Sequence, residues 1–592
     1  MPGDIGMNIE LLLVYLREPI VLYAIALTAI WVLIQAINNF YRGNWNAVIQ
    51  KRDVPARIPM AIVLIYTVFT LMFVCLNKIA LFPILHAVTL GIILLMLPLL
   101  KPKRTASVGL LCTILVAIMP VLIVISTRHP YPLGDDARFI GFAAAIDNDG
   151  RWIPYKYSEN LYYQFFHLIP FLELVLASIT GVGVLNVISY YLTLKISLYL
   201  AYLLLTYLVV REITKDHTIA YIGVLLLSIT PPLALTQVVH QGYAIVLFLA
   251  VALLLLKLNN TTTVSTGILL ASIVLSIAGI IAHATYTTMI VTFTLPMFFT
   301  LSQQSDRRIL FGFLRLIIVI SLVYWVSTYV LDVIVRPGVS AVERLVDLFT
   351  GRTILLHGTS KPWYTARTES FLIAWALLPS IVGAYLLTNL LKLKYERRFL
   401  TTLGAIGLIG TGINYLLRFL SYIGGRYFYW LYLLMLPLGA FVVKNSSRKI
   451  ILGLIFSVIT ISLVSFYGVQ NPNLAANTYG DYIGWADRTS WEVAKGLAPY
   501  INPETRTWLD PRIGAPISSL TSPPSLGEDL SADQVVAIIS EDSIGLHAMN
   551  KDPRNVDFFK RYFDTDPNHI FDNLDNLNII FRCGSYYGIA KP

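Results

Sequence analysis

The chain has 592 residues, of which 56% are hydrophobic and 13% are charged, and its mean hydropathy is +0.68. A soluble protein carries about 25% charged residues, so this composition excludes a soluble globular protein and indicates an integral membrane protein. The net charge of +10 does not point to nucleic acid, because most lysines and arginines lie in short loops between apolar runs, as the positive-inside rule requires.

Apolar runs of spanning length recur through the first 467 residues and predict about 14 transmembrane helices. They lie at residues 19–37, 59–76, 79–100, 107–127, 185–210, 218–236, 242–257, 266–283, 285–301, 309–330, 370–391, 399–417, 427–443 and 450–467. The predicted fold is therefore a polytopic α-helical membrane domain over residues 1–467.

One further apolar stretch, Phe165 to Thr180, contains Pro170 and Glu173. We predict an interfacial or re-entrant helix here, because counting it as a span would move about a dozen later basic residues to the wrong side of the membrane. Glu173 is expected to face protein or water, since a carboxylate facing lipid is costly.

With the N-terminus outside, the loops at 128–164 and 331–369 and the chain after about 467 are also outside. Residues 468–592 carry Asn-Pro, Ser-Pro-Pro and Asp-Pro turns. Strand-like runs at Val535–Ser540 and Asn578–Arg582 alternate there with helical pieces. The sequence thus predicts a multi-pass protein of the plasma membrane with an extracytoplasmic N-terminus and a small C-terminal extracytoplasmic α/β domain.

The first large outer loop holds the adjacent carboxylates Asp135 and Asp136. Adjacent carboxylates in a partly dry site do not both ionise cheaply, so one would have a raised pKa or both would share a cation. Either residue could act as a general base, and the pair could hold Mg²⁺ or Mn²⁺. The alternative is a Gly-Asp-Asp turn that caps a helix beginning at Ala137.

That helix would bury an apolar face formed by Phe139, Phe142 and Ile146, and it would end in a turn at Asn148-Asp149-Gly150. Polar and aromatic side chains around it are weaker candidates for substrate contact. They are Arg138, Asp149, Trp152 and His167.

Later polar interruptions fall at the same predicted outer face. His240 and the pair His283 and Tyr286 could hydrogen-bond a sugar or phosphate, or they could be ordinary interfacial turns. Arg426 and Arg418 flank a Gly-Gly pair and an aromatic run, where a guanidinium could bind a phosphate bidentately. The alternative is a pair of arginines whose side chains extend to the membrane surface.

The element order resembles the GT-C superfamily of polytopic glycosyltransferases, especially its archaeal-type members. The resemblance rests on a span followed by Gly-Asp-Asp, on the helix Ala-Arg-Phe-Ile-Gly-Phe-Ala-Ala-Ala-Ile, on Asp-Gly-Arg-Trp and on Tyr-Tyr-Gln-Phe-Phe-His-Leu-Ile-Pro. The Trp-Trp-Asp-Tyr-Gly motif of the oligosaccharyltransferase catalytic subunit is lacking, which argues against transfer of a whole glycan to asparagine.

The resemblance implies a polyprenyl- or dolichyl-phosphate-linked sugar donor and an acceptor glycan, lipid or protein. It implies an acidic residue of the first outer loop as base or metal ligand, at Asp135 or Asp136. It further implies an arginine near a later span that holds the donor phosphate, with Arg426 as first candidate and Arg418 as second. Two alternatives stay open: a transporter or flippase for lipid-linked saccharides, and a non-catalytic envelope assembly factor.

Overall fold

The computed structural model describes helices in the first three quarters of the chain and short strands near its end. The described residues are 55, 57–76, 81–97, 102–127, 139–140, 143, 146–147, 150, 168–181, 187–228, 240–259, 265–300, 304–328, 339, 343, 369–390, 398–420, 428–445, 492–494, 496, 506–509, 535–540, 560, 578–583 and 586–590. The predicted spans at 19–37 and 450–467 lie outside them.

In their described residues, the predicted runs from 59–76 to 427–443 coincide with helices. The helices are α1 (Arg57–Cys75), α2 (Phe82–Met96), α3 (Pro102–Thr127), α4 (Leu168–Thr180), α5 (Val187–Thr214), α6 (His217–Ser228), α7 (His240–Asn259), α8 (Thr266–Ala282), α9 (Tyr286–Thr300), α10 (Gln304–Ser327), α11 (Glu369–Leu390), α12 (Arg398–Leu420) and α13 (Phe428–Asn445). Within the described residues, five helices are long and apolar enough to cross a membrane. The chain is thus a multi-pass membrane protein, and the total of 14 spans stays a prediction.

Side-chain hydrogen bonds show that α3 and α5 run antiparallel. The Tyr199 hydroxyl, in the first half of α5, donates to the carbonyl of Ala117 in the second half of α3 at 3.3 Å. Near the start of α3, the carbonyl of Ala106 accepts from the Tyr221 hydroxyl of α6 at 2.6 Å. The Tyr221 ring stacks on Tyr207, which lies near the end of α5. The start of α3 and the end of α5 therefore meet at one end of the bundle.

The other helices that carry basic ends meet at this same end. Lys444, in the last turn of α13, forms an ion pair with Asp216, which precedes α6. Helices α12 and α13 are antiparallel, because Gly404 packs against Leu438 and Gly410 packs against Leu431. We call this end, where α3, α6 and α12 begin and α5 and α13 end, the basic face, and the other end the opposite face.

Helices α9 and α10 form an antiparallel hairpin whose connection also lies at the basic face. Thr287 and Ser321 share a short hydrogen bond at one end of the hairpin, 2.5 Å between their hydroxyl oxygens. Phe298 and Phe311 contact at the other end. The midpoint of α9 packs on the start of α12 through Phe293 and Phe399. The described helix ends that border loops predicted to be inside, at Pro102, Thr214, His217, Arg398 and Asn445, therefore share one face, while its identity as cytoplasmic stays a prediction.

The connection from α3 to α5, which contains the short helix α4, makes no net crossing of the membrane. Helix α3 ends and α5 begins at the opposite face, so the chain between them returns to the face it left. Along α4, Phe171, Val175 and Ile179 are exposed at helical spacing while Ala177 is buried. Glu173 is fully buried on the protein side, which confirms that it does not face lipid. An amphipathic helix of 13 residues fits the predicted interfacial or re-entrant element, since a span needs about 20 residues.

The C-terminal region contains a four-stranded sheet of order β1-β2-β4-β3. The strands are β1 (Arg506–Leu509), β2 (Val535–Ser540), β3 (Asn578–Cys583) and β4 (Tyr586–Ala590). Strand β2 pairs in parallel with β1 and antiparallel with β4. The two predicted strands are confirmed, whereas the α/β domain as a whole and its boundary at 468 stay predictions.

Candidate functional site

The opposite face collects the described parts of the predicted site. Helix α7 begins there with His240, and the turn between α8 and α9 holds His283. Arg418 lies in the last turn of α12, which ends at the same face. The remaining predicted site residues lie outside the described part of the chain, and their roles stay predictions. They are Asp135, Asp136, Arg138, Asp149, Trp152, His167 and Arg426.

The segment after the acidic pair is helical and packs into the core. Phe139, Ile140, Ala143 and Ile146 are helical and buried, whereas Asp147 is exposed. These buried positions lie on one side of a helix, so the predicted apolar face is confirmed at Phe139 and Ile146; Phe142 is outside the described residues. Gly150 has φ +64°, a left-handed conformation that terminates helices, which agrees with the predicted turn.

Two features hold this helical segment in place. Its apolar side is anchored in the bundle, and its C-terminal turn is fixed by a glycine conformation that other residues rarely adopt.

His283 is part of the turn between α8 and α9. It is buried, and its Nδ1 accepts hydrogen bonds from the Thr285 backbone N–H at 3.1 Å and from the Thr285 hydroxyl at 2.7 Å. Because Nδ1 acts as acceptor, the neutral ring carries its proton on Nε2. These bonds give His283 a structural role in the turn, which is the alternative left open by the sequence.

Tyr286 is likewise held by its own hairpin. The ring is fully buried against Gly279 of α8. Its hydroxyl donates to the Ser276 Oγ at 3.3 Å. A Cβ on Gly279 would lie 2.2 Å from the Tyr286 ring, so only glycine allows this approach. The described contacts of Tyr286 are thus helix-packing contacts, and its role in substrate binding stays a prediction.

Two buried charges in this half of the bundle were not among the predicted site residues. Glu173 of α4 and Lys195 of α5 are 0% and 4% exposed, and the two helices pack together. Helix α4 also packs on α7, which begins with His240, and on α8, which ends next to His283. Burying a charge is costly unless it is compensated. Lys195 has a sequence signal, because it is the only charged residue in the predicted run 185–210.

No metal-binding group emerges from the described residues, since no three His, Cys, Asp or Glu side chains come together there. Asp135 and Asp136 stand outside that part of the chain. Carboxylates are suitable ligands for Mg²⁺ or Mn²⁺, so a metal held by this pair stays a prediction.

Comparison with known structures found 11 chains of similar architecture, and they include the following two. One is ArnT from Cupriavidus metallidurans bound to undecaprenyl phosphate, with 11% identity and a TM-score of 0.46, covering 83% of this chain and 99% of ArnT. The other is the archaeal oligosaccharyltransferase AglB from Archaeoglobus fulgidus, in complex with an inhibitory peptide and a dolichol-phosphate. Its identity is 11% and its TM-score 0.44, covering 75% of this chain and 71% of AglB.

No family model matches the chain, and no curated protein does. The two similar structures are of the kind that the sequence resemblance predicts, as both contain a polyisoprenoid phosphate. With TM-scores below 0.5, neither structure carries the assignment of function, which has to come from this chain's own residues.

Proposed function

We propose that this protein is a membrane glycosyltransferase that moves a sugar from a polyprenyl-phosphate-linked donor to an acceptor at the opposite face. The observation that carries the proposal is the topology around α4. The chain leaves α3 and enters α5 at the opposite face, and the sequence between them contains Asp135, Asp136 and the buried Glu173. A long polar segment rooted at one face of an apolar bundle suits a reaction between a lipid-linked and a water-soluble substrate.

The proposed reaction follows from the chemistry of the donor. The carboxylate of Asp135 or Asp136 accepts the proton of an acceptor hydroxyl while the hydroxyl oxygen attacks C1 of the sugar. The bond between C1 and the phosphate oxygen breaks, and polyprenyl phosphate leaves with the bonding electrons. Arg426, with Arg418 as the second candidate, stabilises the negative charge on the departing phosphate. Mg²⁺ or Mn²⁺, where bound by the acidic pair, would supply further positive charge for the same phosphate.

The buried charges described above support a preorganised site near that face. Glu173 lies in a helix that packs against α5, α7 and α8, so its position is set by three neighbours. A fixed carboxylate and a fixed ammonium group in adjacent helices give a permanent electrostatic field. Such a field stabilises charge in a transition state without reorganisation.

A transfer assay with paired variants tests this proposal. Detergent-purified protein is incubated with polyprenyl-phosphate-linked mannose or glucose carrying a labelled sugar, with and without Mn²⁺, and label that leaves the lipid fraction is counted. We expect the double variant Asp135→Asn/Asp136→Asn to lose the activity and to keep the melting temperature of the wild type. Asp147→Asn is the matched control, because Asp147 is an exposed aspartate of the adjacent helix and its loss should leave transfer unchanged.

Full activity in the double variant would overturn the assignment of the base. Movement of intact labelled lipid between the leaflets of a vesicle, without release of the sugar, would instead favour the flippase alternative.

A further inference from the structure

Helix α10 presents an apolar face to the outside of the bundle. Phe311, Leu316, Val319, Val323 and Val326 are exposed there. The helix spans the membrane by length and composition, so this face lies against lipid.

One charged residue interrupts the face. Arg315 stands in the middle of α10 and is exposed. It makes no hydrogen bond or ion pair within the part of the chain that the structure describes. An arginine among lipid tails is costly and as a rule marks a functional contact. Because the Arg315 side chain is exposed on this face, we expect it to have a partner outside the described structure.

Two further residues share its side of the helix. Arg308 and Gly312 precede Arg315 by seven and three positions, spacings that place all three on one side. Arg308 is exposed and lies at the basic face, where α10 begins. A Cβ on Gly312 would meet nothing within 4 Å, so the surface between the two arginines is an open slot.

The direction of helical side chains points Arg315 toward Arg308 and the basic face. In an α-helix the Cα–Cβ bonds tilt toward the N-terminus, and the N-terminus of α10 lies at the basic face. The Arg315 side chain therefore extends over Gly312 toward Arg308 and toward the membrane surface, with its apolar stem along the helix. The two Cα atoms are separated by about 10 Å along the helix axis, so one phosphate group can lie between the two guanidinium groups.

We propose that Arg308 and Arg315 bind the phosphate of an anionic phospholipid of the surrounding bilayer, in the slot at Gly312. The guanidinium fork matches phosphate oxygens bidentately, and the exposed apolar residues beyond Arg315 accompany the acyl chains. This lipid site lies on the outside of α10 and at the basic face. It is separate from the sugar-donor site proposed at the opposite face and does not depend on it.

Lipid-dependent thermal stability tests the proposal on the full-length protein in mild detergent. Added phosphatidylglycerol should raise the melting temperature of the wild type more than added phosphatidylcholine does. Arg315→Gln and Arg308→Gln should each lose most of the difference between the two lipids. Gly312→Leu should lose it as well while keeping both charges, because the new side chain fills the slot.

Lys257→Gln is the matched control, since Lys257 is an exposed basic residue in the last turn of α7 at the same face, and it should respond to phosphatidylglycerol like the wild type. Gly312→Leu keeps the helix intact, so its melting temperature without lipid should not fall. An undiminished phosphatidylglycerol response in both Gly312→Leu and Arg315→Gln would overturn the proposal, and so would equal stabilisation of the wild type by the two lipids.

Discussion

The Lys444 ammonium group donates to the Oδ2 of Asp216, a residue 228 positions away in the chain. Asp216 also accepts the backbone N–H groups of Thr218 at 2.8 Å and of Ile219 at 3.2 Å through Oδ1. One carboxylate thus caps the start of α6 and ties it to the last turn of α13. This contact links the middle of the chain to the last described helix of the bundle at the basic face.

Acid should weaken this link. Burial opposes ionisation of Asp216, but the hydrogen bond from Lys444 and the N–H groups of Ile219 and Thr218 outweigh it and hold the pKa of the carboxyl below its usual value. A carboxyl with a lowered pKa in the folded state stabilises the fold above the unfolded pKa of about 3.9 and loses that contribution as the pH falls through the folded pKa. When the pH is lowered from about 6 to about 3, the melting temperature of the wild type should fall further than that of Asp216→Asn. The asparagine side chain does not titrate in this pH range.

Variants at Asp216 separate the cap from the ion pair. Both partners are 28% exposed, so the pair is worth about 1 kcal/mol or less, and the cap about 1 kcal/mol. Asp216→Asn keeps an oxygen for the helix N–H groups and should be more stable than Asp216→Ala. Equal melting temperatures for the two variants would show that the cap contributes nothing.

The seam between α12 and α13 should not tolerate a methyl group. A Cβ on Gly407 would lie 2.7 Å from the Cγ of Met435 and 3.0 Å from the backbone oxygen of Leu431. Because backbone does not move aside easily, Gly407→Ala should lower the stability by about 1–3 kcal/mol. Gly412 of the same helix has nothing within 4 Å of its Cβ position, so Gly412→Ala should raise it by about 0.5–1 kcal/mol. Thermal melts of both variants in one detergent test these opposite changes in stability. A loss of stability of the same size in both variants would contradict the described packing of α12 on α13.

His283 offers a way to separate a structural role from substrate binding. Asparagine presents an oxygen that can replace Nδ1 as acceptor of the Thr285 N–H, so His283→Asn should keep the melting temperature and the transfer activity of the wild type. His283→Ala should lose about 1–3 kcal/mol, the cost of a buried donor without its acceptor. A stable His283→Asn variant without transfer activity would instead assign the ring to the substrate.

Local patterns were enough to predict the elements that depend on neighbours in sequence. The period of apolar residues predicted the buried sides of Phe139 and Ile146, and a short strand-like run predicted the strand Val535–Ser540 at its observed bounds. Charge bias predicted that the loops with two or more basic residues share a face, and the described helix ends Pro102, Thr214, Arg398 and Asn445 agree with it. The inward position of Glu173 followed from the cost of a carboxylate in lipid.

Contacts between distant residues could not be predicted in this way. Nothing in the sequence around Asp216 indicates that its partner is Lys444, because the pairing arises from the packing of α6 on α13. Arg315 falls within the predicted run 309–330, but only the structure shows that it faces outward. The hydrogen bonds from Thr285 to His283 depend on the backbone geometry of one turn. The sequence alone therefore left both a structural role and a substrate-binding role open for His283.

Binding of the donor's lipid phosphate tests the proposed function most directly. A short polyprenyl phosphate is added to detergent-purified wild type, to Arg426→Ala and to Arg315→Gln, and the melting temperature is recorded. We predict stabilisation of the wild type, its loss in Arg426→Ala and its persistence in Arg315→Gln, because Arg315 belongs to the phospholipid site on α10. Absence of stabilisation of the wild type by any polyprenyl phosphate, at concentrations that saturate ArnT as a positive control, would contradict a lipid-phosphate donor.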